Sequence, residues 1–285
     1  MRLLVTFEYP HSTWIPLIVF RDFFKWFEIN YDEHEISYQN TDPLKRMNPS
    51  GPNSPQIMVI KNLDNGKYII VSYWDRAIEL TWNGNGWDDE KRVDLITSSG
   101  IFSDLDFTPF SYCCYSSEFE FLSKNKRKDF KDKIISDLHF RGFLYHERKL
   151  MQQYKPELFS EQRKSTEDYF NELNSNKICL SLNGAGEICN RDLEILSCGS
   201  VLIRPELSQR FHNPLIPNYH YVSVEKVKDP KLQLDLIIDK YNNIKNDDNY
   251  LNEVAYNGLK WFEENGSILS NVELLKNIVD INKLI

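Results

Sequence analysis

The chain has 285 residues, 41% of them hydrophobic and 27% charged, with 34 Lys+Arg against 42 Asp+Glu and a formal charge of −8. That much apolar material excludes a disordered chain, because burial can offset the entropy of ordering. The acidic balance argues against a general nucleic-acid binder, whose phosphate contacts call for a basic excess, and the length admits one large domain or two of roughly 130–150 residues.

Leu3–Phe7 reads as a short buried strand, Glu8–Ser12 as a loop, and Ile15–Glu28 as a helix by the spacing of its apolar residues. Strand, loop and helix in that order open an α/β layer. The apolar run before Glu8 and Pro10 is too short for a signal-peptide core. No apolar stretch approaches the roughly 20 residues of a spanning helix. The expectation is a cytoplasmic chain with no transmembrane segment. Cys113, Cys114, Cys179, Cys189 and Cys198 contain no CxxC pair and read as reduced thiols.

Asn40–Pro55 holds Pro43, Pro49, Gly51, Pro52 and Pro55 and reads as a loop. Gln56–Ile60 and Tyr68–Tyr73 are β-rich, with Leu63–Gly66 as a turn between them. Trp82–Trp87 is turn-rich, a strand ends at Thr97–Gly100, and Asp104–Ser117 is irregular. The basic run Lys124–Lys128 reads as a linker into a second half that begins at Asp137. Glu147–Gln153 and Glu161–Asn174 are predicted helices.

The most informative block is Lys177–Val224. Lys177–Leu182 is a predicted strand, Asn183-Gly184-Ala185-Gly186 a tight glycine loop, and Ile188–Ser197 a helix. Gly199 stands where a helix C-cap favours glycine, and Ser200–Ile203 is the next strand, stopped by Pro205. A β–α–β unit with glycines at the helix entry favours a parallel sheet with ligands at its C-terminal strand ends. Further on, Leu251, Val254, Ala255, Leu259 and Phe262 form a helical stripe ended by Gly266, and Ser270–Glu273 has a capping-box pattern for a last helix.

Backbone N–H groups at such a helix start form an anion cradle. Arg191 can neutralise a pyrophosphate there, and Glu194, on the same helix face, can accept ribose hydroxyls. The spacing is not the dinucleotide fingerprint GxGxxG, because position 189 is Cys. A plain glycine turn beside an Arg–Glu surface pair is the alternative. A second cluster, Phe140–Lys149, contains Arg141, Arg148 and Lys149 and reads either as a charged helix start or as another phosphate clamp.

Phe140-Arg141-Gly142 followed by Glu147-Arg148 resembles the "FRG…ER" motif of the protein O-glucosyltransferase and capsule-associated glycosyltransferase family. Asn183–Leu202 resembles that family's glycine–arginine donor segment, and Pro217–Val224 the stretch that follows it. The Arg191-x-x-Glu194 pair is also similar to the exostosin type. The resemblance spans about residues 136–225, and its three motifs fall in compatible order.

What it implies is an α/β, GT-B-like fold of two Rossmann-like domains with an interdomain cleft. Residues 1–135 would form the acceptor-side domain and 136–263 the nucleotide-sugar-binding domain. The C-terminal helices, 264–285, would cross back to the first. The activity implied is transfer of a sugar of the glucose or xylose class from a UDP-sugar to a hydroxyl of a glycan or glycoprotein, with inversion. The UDP-sugar is a co-substrate; no cofactor and no metal are required. Arg141 and Arg191 would contact the diphosphate, with Gly142 and Arg148 beside them. Gly184, Ala185 and Gly186 would line the phosphate loop, and Glu194 would hold the ribose. Cys189 stands where that family usually has a serine.

An inverting transfer needs a base within hydrogen-bond reach of the acceptor hydroxyl. Asp75, after the strand Tyr68–Tyr73, ranks first, and His11, in the first strand–helix loop, second. Trp74 and Trp82 are candidate stacking platforms for acceptor sugars, or simply core residues. Two other classes stay open. One is a non-catalytic carbohydrate-binding protein with this fold. The other is a metal-dependent GT-A transferase using the DxD of Asp104 and Asp106 with Mn²⁺.

Overall fold

The computed structural model describes residues 1–6, 15–39, 57–72, 89–97, 107–112, 116–135, 137–144, 146–160, 162–184, 187–208 and 211–285. The fold is mixed α/β. The first elements are β1 (Arg2–Thr6), α1 (Ile15–Asn30), β2 (Glu35–Gln39), β3 (Ile57–Asn62), β4 (Tyr68–Ser72), β5 (Arg92–Thr97) and β6 (Thr108–Pro109). Then come α2 (Ser117–Lys126), β7 (Phe140–Arg141), α3 (His146–Tyr154), β8 (Phe159–Ser160), α4 (Thr166–Ser175), β9 (Ile178–Leu180) and α5 (Asn190–Ser197). The chain finishes with β10 (Val201–Pro205), β11 (Val222–Val224), α6 (Pro230–Ile244), α7 (Asp248–Trp261) and α8 (Ile268–Ile278). It divides into two units. One comprises Met1–Cys114, Gln209–Pro214 and Ser267–Ile285; the other comprises Tyr115–Ser208 and Leu215–Gly266.

The first unit carries a six-stranded sheet in the order β2-β1-β3-β4-β5-β6. β1 and β2 pair in parallel, whereas β3 runs antiparallel to both β1 and β4. The layer is therefore mixed and not the all-parallel sheet of a Rossmann unit. The cause is local: β3 and β4 are joined by a hairpin turn too short for a crossover. Asn62 Oδ1 accepts from Asp64 N at 2.9 Å, and Gly66 takes φ +80°, which a side chain rarely adopts. Val19, Phe20, Phe23, Phe24 and Phe27 of α1 are buried at helical spacing, and this helix packs against α8. The C-terminal turn is tied to the hairpin by Asn62 Nδ2 and Asn65 Nδ2, which donate to Leu284 O at 3.0 and 2.8 Å.

In the second unit β9, β10 and β11 form a parallel sheet, with β10 central. Its apolar run is buried on both faces, with Leu180, Val201, Ile203 and Val222 against Leu234, Ile237, Leu251 and Val254. The predicted β–α–β unit is present as β9–α5–β10, and Gly199 ends α5 at φ +64°. β7 and β8 make a separate two-stranded parallel pair.

Three details differ from the sequence expectations. The basic run Lys124–Lys128 is the end of α2 and the turn after it, held by Lys126–Glu167 at 2.5 Å and by Lys128 Nζ donating to Ser175 Oγ at 3.0 Å. α4 starts at Thr166 because Ser165 caps it, accepting from Asp168 N at 3.1 Å. α8 is capped by Ser267, whose Oγ accepts from Ser270 N, so Ser270 lies inside the helix. The predicted Asn40–Pro55 loop and the Trp82–Trp87 turn lie outside the described residues.

Lys133 gathers three helix ends. Its buried ammonium donates to Asn174 O at 2.7 Å and Cys198 O at 3.0 Å, at the C-termini of α4 and α5. Asn174 Nδ2 donates to Lys126 O at the end of α2. A cation there satisfies carbonyls that have no partner within their helices, although burial pushes the lysine down to about 8. Gly258 lets α7 approach the sheet's connections: a Cβ at this position would lie 2.5 Å from His220 O and 2.8 Å from Leu196 Cδ2. Helix propensity favours alanine by about 1 kcal/mol, but forcing the helix off a backbone carbonyl costs about 1–3 kcal/mol or more. Gly258→Ala should therefore lower the urea midpoint of unfolding; an unchanged or higher midpoint would contradict this packing.

Candidate functional site

Two of the candidate donor-binding arginines, Arg148 and Arg191, lie against one phenylalanine. Alternation along β7 buries Phe140 and turns Arg141 to the other side. The Arg148 guanidinium of α3 lies 4.7 Å from the Phe140 ring centroid, and that of Arg191 in α5 lies 5.4 Å from it. The ring's negative faces attract both cations. Each guanidinium is also held by carbonyls of the strand that feeds the glycine loop. Arg191 Nε donates to Leu180 O at 2.7 Å, and Arg148 Nη2 donates to Leu182 O. A Cβ on Gly142 would sit 3.1 Å from the Phe140 ring, and one on Gly184 would sit 3.4 Å from Arg148 Nη2, so both glycines leave room for this stack.

Arg141 is fixed from the outer side. Its Nε donates to Glu172 at 2.9 and 3.1 Å, and its Nη1 donates to Ser160 Oγ at 2.9 Å and Gln162 O at 2.7 Å. Glu172 also pairs with Lys164 at 2.6 Å, and His139 Nδ1 stands 3.8 Å away. Burial raises the Glu172 carboxyl, but Lys164 and Arg141 hold it below its ordinary value. Burial pushes His139 down, and the nearby Arg141 and Arg191 add to this. The cations Arg141, Lys164, Arg148 and Arg191 stand here with the carboxyl groups of Glu172, Asp192 and Glu194. Among the described residues, Nη2 of Arg141 and Nη2 of Arg191 carry no hydrogen bond, while the other nitrogens of each fork are bound to protein.

Arg191 and Glu194 do not pair directly. The Tyr169 hydroxyl lies between them, accepting from Arg191 Nη1 at 2.8 Å and donating to Glu194 Oε2 at 2.9 Å. Burial raises the Glu194 carboxyl to about 7, against the opposing pull of Tyr169 and Arg191.

Behind the glycine loop lies a residue that the sequence motifs do not single out. Arg204, on β10, is fully buried. Its Nη2 donates to Asn183 Oδ1 at 2.8 Å and Glu187 O at 2.6 Å, one on each side of the loop, and its Nη1 pairs with Asp192. Asp192 Oδ2 accepts from Cys189 N at 2.7 Å and so caps α5. The signal was an arginine inside the apolar run Val201–Pro205, which demands a carboxylate partner once buried. Cys189 is the residue before α5; its thiol lies 3.4 Å from Ser181 Oγ, and burial pushes it up to about 11. Tyr169 and Glu172 were also missed, because nothing in the spacing of α4 marks them.

The remaining candidates, Asp75, His11, Trp74, Trp82, Ala185, Gly186, Asp104 and Asp106, lie outside the described residues. Among the described residues, no group of three His, Cys, Asp or Glu side chains stands close enough to hold a metal ion, and no helix is long and apolar enough to cross a membrane. No protein-family model matches the chain, and no curated protein sequence matches it.

The Glu194 proton is held more tightly in the folded chain than in the unfolded one. Stability should therefore fall as pH rises from the ordinary carboxylate range to about 7, then level off. The total is about 1–3 kcal/mol, since each tenfold gain in proton affinity is worth about 1.4 kcal/mol and partial exposure reduces it. Glu194→Gln should flatten this fall. Urea unfolding at pH 5 and pH 8 measures it, and a mutant with the wild-type difference between the two would remove Glu194 as its source.

Proposed function

We propose that the second unit binds the diphosphate of a nucleotide sugar, and that the protein is a glycosyltransferase of GT-B type. The observation that carries this reading is the gathering of Arg148 and Arg191, from two separate segments, around Phe140, with Arg141 next to that ring along β7 and held by Glu172, Ser160 and Gln162. Among the described residues, the guanidiniums of Arg141 and Arg191 each keep one nitrogen unbonded while the protein fixes the rest. Donors held in this way are oriented before a ligand arrives, which lowers the entropic cost of binding. In this reading the first turn of α5 adds backbone N–H groups, the usual partners of phosphate oxygens.

In this reading the donor is a UDP-sugar and the acceptor a hydroxyl of a glycan or glycoprotein. The arginines stabilise the negative charge that builds on the departing diphosphate, a role that needs no metal ion. Glu194 accepts from the ribose, and Tyr169 keeps it next to Arg191. For the base that takes the acceptor proton, Asp75 ranks first and His11 second. The three ordered motifs support the assignment to the O-glucosyltransferase-like class, with sugars of the glucose or xylose type.

Charge-assisted hydrogen bonds are worth about 1.5–3 kcal/mol each. Arg141→Ala and Arg191→Ala should each weaken UDP binding by about ten- to a hundredfold, read by calorimetry at a temperature where both variants remain folded. Unchanged affinity in both would remove the diphosphate assignment. Asp75→Asn should lower kcat for UDP release from donor and acceptor while leaving UDP affinity intact, and wild-type turnover would move the base to His11. UDP binding with no UDP release in any donor–acceptor pair would instead favour the non-catalytic carbohydrate-binding alternative.

A further inference from the structure

The Asn183-Gly184 pair at the start of the glycine loop has a chemistry that the diphosphate reading does not use. In an Asn-Gly sequence the glycine nitrogen can reach the asparagine side-chain carbonyl, because no Cβ restricts its approach. Four such pairs fall among the described residues, at 65–66, 183–184, 257–258 and 265–266. Three of them are restrained. Gly66 N donates to Asn62 O at 2.8 Å, and the Asn65 amide donates to Leu284 O and accepts from Lys67 N. Asn257 and Gly258 lie inside α7, and Asn265 and Gly266 lie in the helical turn Phe262–Gly266 that follows it, where helical hydrogen bonds occupy the backbone. Asn183 and Gly184, by contrast, are half-buried and belong to no helix or strand, and among the described residues the Gly184 N–H has no partner.

The Asn183 amide is also activated. Arg204 is fully buried, and its Nη2 donates to Asn183 Oδ1 at 2.8 Å. A charged donor on that oxygen draws electrons from the carbonyl carbon, and it stabilises the oxyanion that forms when a nitrogen attacks. The geometry points to Asn183 as a site of spontaneous covalent modification, at which the amide becomes a carboxylate through a cyclic imide with Gly184. The Gly184 nitrogen forms a bond to Asn183 Cγ and gives up its proton. The Cγ–Nδ2 bond breaks, and the amide nitrogen leaves with that proton as ammonia. Water then opens either C–N bond of the imide ring. One product is aspartate at position 183; the other is isoaspartate, whose main chain is longer by one methylene. Either product puts a second carboxylate on Arg204, whose Nη1 already pairs with Asp192. On the diphosphate reading, the conversion also adds negative charge at the loop that receives the phosphates, so donor binding declines with the age of the molecule.

The test is mass spectrometry on the full folded chain held at mildly alkaline pH, with the change placed by fragmentation. Trypsin puts each of the four pairs in a separate peptide. The peptide Ile178–Arg191 should gain the mass of an amide-to-acid exchange sooner than Asn62–Lys67, Asn246–Lys260 and Trp261–Lys276. It should also do so sooner in the folded chain than in urea, where Arg204 no longer reaches Asn183. Gly184→Ala should slow the gain severalfold. A Cβ there meets Arg148 Nη2 at 3.4 Å and Cys189 Cβ at 3.6 Å, ordinary contacts that leave the fold intact. An Ile178–Arg191 peptide that keeps its amide while the others convert would overturn the assignment. So would conversion no faster in the folded chain than in urea, or a Gly184→Ala chain that converts at the wild-type rate. Unchanged UDP affinity in fully converted protein would instead count against the diphosphate reading, with the modification itself established by the mass.

Discussion

The second unit depends on how two like charges are kept side by side in a nearly dry place. Arg148 and Arg191 both lie close to the Phe140 ring and both are buried. Two guanidiniums in low dielectric repel one another and forfeit hydration. The protein offsets this with the aromatic ring and the Tyr169 hydroxyl, and with carbonyls at Leu180, Leu182 and Phe143. These partners are mostly neutral dipoles and a quadrupole. On the proposed reading, an anion here would meet donors that the protein already orients.

A second constraint supports the first from behind. The glycine loop is conformationally permissive, so something must hold its two ends. Arg204 does this by bonding Asn183 and Glu187, while Asp192 joins Arg204 to the backbone N–H of Cys189 at the start of α5. Glu187 is fixed in turn by Lys226 and by Ser208 N. Lys133 performs a comparable service at the other end of α5 and for α4, where carbonyls rather than N–H groups need partners. The helix that presents Arg191 and Glu194 is thus anchored by a buried charge at each end.

Much of this was legible in the chain. Apolar runs and glycine positions located β9, α5 and β10, because burial on both faces of a parallel strand writes itself as a continuous apolar stretch. Arg141, Arg148 and Arg191 were singled out from their motifs. Less legible was α2, whose apolar residues are interrupted by charged ones, whereas α6 carries Leu234, Ile237, Tyr241 and Ile244 at helical spacing behind its Asp229 cap. The roles of Tyr169 and Glu172 left no trace either, since a tyrosine and a glutamate on a polar helix look like ordinary surface. The antiparallel β3 came from a turn that was recognised, but its place between β1 and β4 follows from sheet order, which local pattern does not encode.

Local chemistry, then, was decided by the sequence: which segments prefer strand or helix, where a glycine must stand, and which cations are candidates for phosphate. Those properties depend on neighbours within a few positions along the chain, where periodicity and backbone sterics act. Only the tertiary structure decided that Arg148 and Arg191 meet at one phenylalanine, that a tyrosine stands between Arg191 and Glu194, and that Arg204 bonds Asn183 and Glu187. These partners lie from 8 positions apart, Phe140 and Arg148, to 51, Phe140 and Arg191. Their meeting follows from how the parallel strands stack and the helices pack, a long-range outcome that no single stretch of residues contains.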